Sequence, residues 1–163
     1  MDILKKSIVK LLVENARYSN ADIAKILGKD KADIDLAVKE LEESGVIVKY
    51  AAILNTEVLL EQAVEALIEV KVAPQKLKGF DSYAEEIYSF DEVKSLYLMS
   101  GGFDLAVFIE GKSITDIAKF VAKKLSVIDG ITSVQTHFIL KKYKIEGQIT
   151  MPNEDSKRQI IQA

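Results

Sequence analysis

LYLMSGGFDLAVFIEGKS, Leu96 to Ser113, reads as an apolar run, a Gly-Gly break, a second apolar run and a serine placed to cap a helix. Two short apolar runs joined by glycines predict an antiparallel hairpin. Val93 to Met99 forms its first strand and Phe103 to Ile109 its second. Asp104 is out of place, because strand starts disfavour Asp. Either it punctuates the turn or it holds something.

Working outward on the N-terminal side, Pro74 opens a helical stretch to about Phe90. Leu77, Phe80, Tyr83, Ala84, Ile87 and Tyr88 fall on its apolar side. Before it, VEALIEVKV (Val64 to Val72) alternates as a half-buried strand does. On the other side, Ser113 with Asp116 has capping-box spacing. The helix so begun carries Ile117, Phe120, Val121, Leu125 and Ile128. Asp129-Gly130 breaks it. Ile131 to Tyr143 is the last strand, with Val134, Thr136, Phe138 and Leu140 on one side and the chain's lone histidine, His137, an ordinary sheet residue on the other. Strand, helix, strand, strand, helix, strand is the split βαβ, ferredoxin-like order. Such an antiparallel sheet has helices on one face. The other face is expected to carry apolar side chains and so to need a cover, and a second copy of the chain is the expected one.

The first third is helical. Ile3, Leu4, Ile8, Leu11 and Leu12 line one face. Ser19 and Asp22 repeat the capping spacing before Ile23, Ala24, Ile26 and Leu27, and Gly28 supplies a stop. Asp30 and Asp33 cap a third helix, whose buried side is Ile34, Ala37, Val38 and Leu41, and Gly45 ends it. VIVKYAAIL, Val46 to Leu54, is β-branched and predicts a strand. Three helices with a tight turn between the last two, then a strand, predict a winged helix-turn-helix. The expected organisation is a winged helix-turn-helix at 1–54, a linker at 55–62, a ferredoxin-like domain at 63–144 and a polar tail at 145–163 left without structure. The fold class is α+β.

Composition narrows the chemistry. With no cysteine and one histidine in 163 residues, disulfide frameworks, thiolate catalysis and Cys- or His-clustered metal sites are excluded. Lack of cysteine suits a reducing compartment. The net charge of −3 gives no global pull toward nucleic acid or anionic lipid. MDILKKSIVKLL is amphipathic with lysines inside its apolar pattern, and no apolar run reaches the roughly 20 residues of a membrane span. A cytoplasmic protein without membrane contact is expected.

The helix-turn-helix ending LEESGVIVKYAAILN (Leu41 to Asn55), followed by a split βαβ unit with SGGFD (Ser100 to Asp104) and GITSVQTHFILKKYK (Gly130 to Lys144), resembles the Lrp/AsnC family of leucine-responsive, feast-famine transcription regulators. The likeness covers nearly the whole chain apart from the tail and rests on the order and spacing of its segments. It implies an N-terminal domain that binds double-stranded DNA. It also implies a C-terminal (RAM-type) domain that dimerises through its sheet and assembles further, often to octamers. A small effector, usually an amino acid, would bind between neighbouring dimers. No cofactor is implied.

The resemblance places the effector at the loop Ser100 to Asp104, with Thr136 close by. Backbone N–H groups at Ser100, Gly101 and Gly102 suit a carboxylate, and Asp104 an ammonium group. Alternatively, Gly-Gly is a hairpin turn and Asp104 stabilises it. Leu98 and Met99 beside Thr136 suit an apolar or small amino acid.

The recognition helix departs from the family pattern. Ala37 and Glu40 occupy its usual arginine positions, and Asp33 and Asp35 stand where small polar residues face the groove. Residues 1–50 hold Lys5, Lys6, Lys10, Arg17, Lys25, Lys29, Lys31, Lys39 and Lys49 against Asp2, Glu14, Asp22, Asp30, Asp33, Asp35, Glu40, Glu42 and Glu43, nine of each sign. Phosphate neutralisation drives DNA affinity, so a neutral domain must gather its lysines on one side. The candidate DNA-facing set is Lys25, Lys29, Lys31, Ala32, Asp35, Lys39 and Lys49; an ordinary solvated face is the alternative for the lysines. Lysine does not match the bidentate readout of arginine, so modest specificity aided by DNA bending is expected. Multivalent assembly would raise a weak module's affinity.

Two other functions fit the same fold. One is an amino-acid sensor or adaptor that no longer reads DNA and acts through a protein partner. The other is an enzyme, since some distant relatives of the fold decarboxylate tetrapyrroles. The chain offers no Ser-His-Asp set, metal cluster or cofactor loop, and no enzymatic activity is expected.

Overall fold

A computed structural model of the chain describes residues 2–56, 63–73 and 79–150. The chain divides into two compact units, Met1–Leu54 and Asn55–Ala163.

The first unit has three helices: α1 (Ile3–Glu14), α2 (Asn20–Leu27) and α3 (Lys31–Glu43). The Asp2 carboxylate accepts from the Lys5 amide at 2.8 Å, satisfying one of the open donors at the start of α1. Ser19 and Asp22 form a reciprocal capping box on α2. Gly28 ends that helix at φ 61°, a left-handed conformation that glycine adopts without a Cβ penalty. The tight turn sets α2 against α3 around Ile8, Ile23, Ala24, Ile34, Ala37, Val38 and Leu41.

Two expectations are corrected here. Asp30 stands at the N-cap of α3, but its side chain makes no capping hydrogen bond. Val46 to Leu54 is not a strand. A strand needs a neighbour to satisfy its N–H and C=O groups, and among the described residues no strand lies beside this segment. The Ile47 amide instead turns back to the Leu41 carbonyl at 3.0 Å.

The second unit is built on four antiparallel strands, β1 (Val64–Val72), β2 (Val93–Leu98), β3 (Leu105–Gly111) and β4 (Ile131–Phe138), ordered β2-β3-β1-β4. Helices α4 (Phe80–Tyr88) and α5 (Ile114–Phe120) cross one face, and α5 runs on into a π-helical turn, Val121–Leu125. Alternation along β1 sends Ala66, Ile68, Val70 and Val72 into the core. There they meet Leu105, Val107 and Ile109 of β3, Tyr83 and Ile87 of α4, and Ile117, Phe120, Leu125 and Ile128. Ser113 caps α5 by accepting from the Asp116 amide. Gly130 lies at φ +92°, and a Cβ there would stand 2.1 Å from the Tyr83 hydroxyl.

Several boundaries differ from those expected. Helix α4 begins at Phe80, and Pro74 and Leu77 lie outside the described residues. Phe80 and Tyr88 are exposed rather than core; only Tyr83 and Ile87 of that helix are buried. Strand β3 starts at Leu105, so Phe103 and Asp104 belong to the loop. Strand β4 stops at Phe138. The supposed tail is ordered at its start, where β5 (Lys144–Ile145) and β6 (Gln148–Ile149) form a small hairpin. Its closing residue, Thr150, is buried and hydrogen-bonded through its hydroxyl to the Lys142 carbonyl. The face of the sheet away from the helices is mixed rather than simply apolar. Tyr97 meets Phe108 edge-on at 5.8 Å, and His137 Nε2 stands 3.3 Å from Glu69 Oε1.

Candidate functional site

The loop between β2 and β3 is closed at its base by the Met99 amide donating to the Asp104 carbonyl at 2.8 Å. The Asp104 amide donates to the Val70 carbonyl at 3.0 Å, one step beyond the last β1–β3 pair, Val70 with Leu105. Past that point the backbone of β3 turns away, and the next inward amide of β1 would lose its acceptor. The Asp104 carboxylate replaces it: Oδ2 accepts from the Val72 amide at 2.9 Å. An aspartate at a strand start is disfavoured for its side-chain competition with the ladder. Here that competition completes the ladder.

The glycines do not serve as a positive-φ hairpin turn. Neither Gly101 nor Gly102 has positive φ, and a Cβ at either would meet nothing within 4 Å. The amides of Ser100, Gly101 and Gly102 make no hydrogen bond among the described residues. Leu98 and Met99 enter the loop exposed, at 61% and 42%. The loop therefore presents three open amides, two unshielded Cα positions and one anchored carboxylate.

Thr136 is not brought to this loop. It pairs with Ile68, which pairs in turn with Val107, so it faces the helix layer. That places it two strands from β3, about 10 Å across the sheet.

The second candidate surface is α3. Its buried stripe is Ile34, Ala37, Val38 and Leu41. At about 100° per residue, Ala32, Leu36, Lys39 and Glu43 lie opposite that stripe. Asp35 lies beside them, and Lys31, one turn before it, lies toward the edge of the buried stripe. The Asp35 carboxylate accepts from Lys31 Nζ at 2.6 Å and from Asn20 Nδ2 at 2.8 Å, tying α3 to α2. The Lys31 ammonium, then the Asn20 amide, hold its pKa below the ordinary aspartate value. Lys39 stands 3.7 Å from Glu43. Glu40, at a usual arginine position, binds Lys5 of α1 at 2.6 Å and holds that ammonium's pKa above its ordinary value. Lys25 at the end of α2, Lys29 in the turn and Lys49 beyond α3 are exposed and make no ion pair among the described residues. The seven residues proposed to face DNA thus separate into three lysines outside any ion pair among the described residues, two lysines paired within α3, an ion-paired aspartate and an exposed alanine.

Leu36, 58% exposed on the outward side of α3, is not among the residues expected from the sequence. Its sequence signal is an apolar residue off the i, i+3, i+4, i+7 stripe of its own helix. The Asp104–Val72 contact has no comparable local signal, because 32 residues separate the partners.

Comparison with known proteins agrees with this architecture. Residues 1–48 match the winged helix-turn-helix DNA-binding family, and residues 65–149 match the Lrp/AsnC ligand-binding domain. The chain is 43% identical over 155 residues to the HTH-type transcriptional regulator YugG of Bacillus subtilis, covering 94% of this chain and 93% of that one. It is 35% identical over 144 residues to the HTH-type transcriptional regulator LrpA of Pyrococcus abyssi, covering 88% and 99%. Its fold is also that of a transcriptional regulator from Neisseria meningitidis solved with L-methionine, at TM-score 0.67, 23% identity and coverage of 96% and 99%. With both units matched in order, the chain belongs to the Lrp/AsnC family of helix-turn-helix transcriptional regulators.

Proposed function

We propose that this regulator takes a free amino acid at the loop Leu98–Asp104 and that occupancy changes its assembly or its affinity for DNA. The observation that carries this is the trio of open amides at Ser100, Gly101 and Gly102 beside an anchored carboxylate. Amides suit the α-carboxylate of the ligand. Asp104 Oδ1 suits its ammonium while Oδ2 stays on Val72. Exposed Leu98 and Met99 favour a small or apolar side chain. Thr136 belongs to the same site through a neighbouring copy, because its own loop is out of reach. A homo-oligomer, a dimer or an octamer, is therefore part of the proposal.

On DNA, Lys25, Lys29 and Lys49 supply the phosphate contacts. Lys31 and Lys39 contribute less because each already faces a carboxylate. A modest charge per module makes multivalent assembly the source of affinity. A DNA-bound regulator of this kind works in the cytoplasm.

Fluorescence anisotropy tests both parts. The protein is titrated against its own upstream duplex and a scrambled one at two salt concentrations. Tighter binding to the upstream duplex that weakens with salt is expected. The complex is then screened against amino acids, with Asp104→Asn as the control, since asparagine keeps an acceptor for Val72. A response to one amino acid, lost in Asp104→Asn, supports the site. An equal response in the variant refutes it. Absence of DNA binding at low salt would leave a sensor acting through a protein partner.

A further inference from the structure

We infer that Leu36 reads a thymine C5-methyl group in the major groove. The inference rests on DNA binding through α3. What this helix lacks is as informative as what it has. It carries no arginine, asparagine or glutamine, the side chains that pair bidentately with guanine or adenine. Both oxygens of Asp35 are taken, one by Lys31 and one by Asn20. Lys31 and Lys39 face carboxylates of the same helix. Hydrogen-bonded base readout from α3 is therefore poor.

The largest group on the outward face is instead the isobutyl side chain of Leu36. It lies opposite the buried stripe, outside the core cluster of its unit. An exposed leucine is ordinary by itself. One at the centre of a recognition helix, flanked by Ala32 and Lys39, is placed where the groove floor arrives. The apolar feature of that floor is the thymine methyl, the one base substituent that rewards an apolar contact without a hydrogen bond, and the isobutyl group of Leu36 reaches further toward it than the single methyl of an alanine. Burying it removes apolar surface from water on both sides.

Uracil isolates the contact, because it pairs as thymine does and lacks only the methyl group. A duplex is first selected from a random-sequence library with the full-length protein. Each thymine of a half-site is then replaced singly by deoxyuridine, and affinity is measured at one fixed salt concentration. At least one replacement is expected to weaken binding about three- to fourfold. Leu36→Ala should bind the thymine and uracil duplexes alike, whereas Leu36→Met, which keeps an apolar side chain, should still distinguish them. Alanine is a better helix former and the site is exposed, so the fold is retained. A selected duplex indifferent to every uracil, or discrimination that survives Leu36→Ala, overturns the inference and leaves DNA binding standing. Failure to select any duplex at low salt removes DNA binding itself and this readout with it.

Discussion

The carboxylate of Asp104 accepts a hydrogen bond from the backbone amide of Val72, 2.9 Å away and 32 residues earlier in the chain. Through it the loop between β2 and β3 is fixed to the end of strand β1. The loop is anchored by hydrogen bonds on one side and open on the other, a combination that suits a ligand site.

Asp104→Ala leaves the Val72 amide without its acceptor in a partly buried position. A loss of about 1–2 kcal/mol is expected, read from the urea midpoint at unchanged slope. Asp104→Asn should lose less than half as much, since its amide oxygen still accepts. Equal stability of the alanine variant would show that water satisfies Val72 and that the anchor is dispensable.

Two glycines separate structural from ligand-facing constraint. Gly130→Ala drives a Cβ to within 2.1 Å of the Tyr83 hydroxyl at φ +92°. It should cost about 2 kcal/mol or more. Gly101→Ala meets nothing within 4 Å and has no positive φ to strain. Its unfolding midpoint should be unchanged within about 0.5 kcal/mol, while the amino-acid response is reduced by the new methyl group. A stable Gly130→Ala would contradict the close packing of Tyr83, and a fully responsive Gly101→Ala would move the effector elsewhere.

These residues also mark where sequence patterns suffice. The period-2 alternation of Val64–Val72 and the caps at Ser19 and Ser113 are local signals, and the sheet and helices follow from them. The family likeness pointed to Asp104, but its partner Val72 depends on strand register, which no local pattern carries. The segment Val46–Leu54 failed for the opposite reason. Its β-branched residues fit a strand, but propensity forms none without a neighbour. On α3 the residue types alone yield only a charge count. Which lysines are free depends on i, i+4 geometry and on Asn20 of another helix.

Acid should loosen the helix-turn-helix unit. Asp22 and Asp35 both have pKa values below the ordinary aspartate range, held down first by the Ser19 hydroxyl and by Lys31 respectively. A depressed carboxylate contributes stability that is present above its unfolded pKa of about 3.9 and is lost as pH falls through the lower folded value. Thermal unfolding followed between pH 5 and 2 should therefore show a declining midpoint. Asp35→Asn should be less stable at pH 7 and show a shallower decline. A variant with the same pH profile as the parent would show that the Lys31–Asp35–Asn20 contact adds nothing.

The separation of free from paired lysines predicts how salt acts on DNA binding. Each phosphate neutralised adds about 0.9 to the slope of log affinity against log salt. Lys29→Ala and Lys49→Ala should each weaken binding to all duplexes alike and reduce the slope by about 1. Lys39→Ala removes a lysine that already shares its charge with Glu43, so its slope should change by less. Glu43→Gln tests the same pairing from the other side: freeing Lys39 and removing a negative charge should tighten binding and steepen the slope. If Lys39→Ala lowers the slope as much as Lys29→Ala, the ion pair within α3 opens on DNA, and the charge available to the recognition helix is larger than its free-state geometry implies.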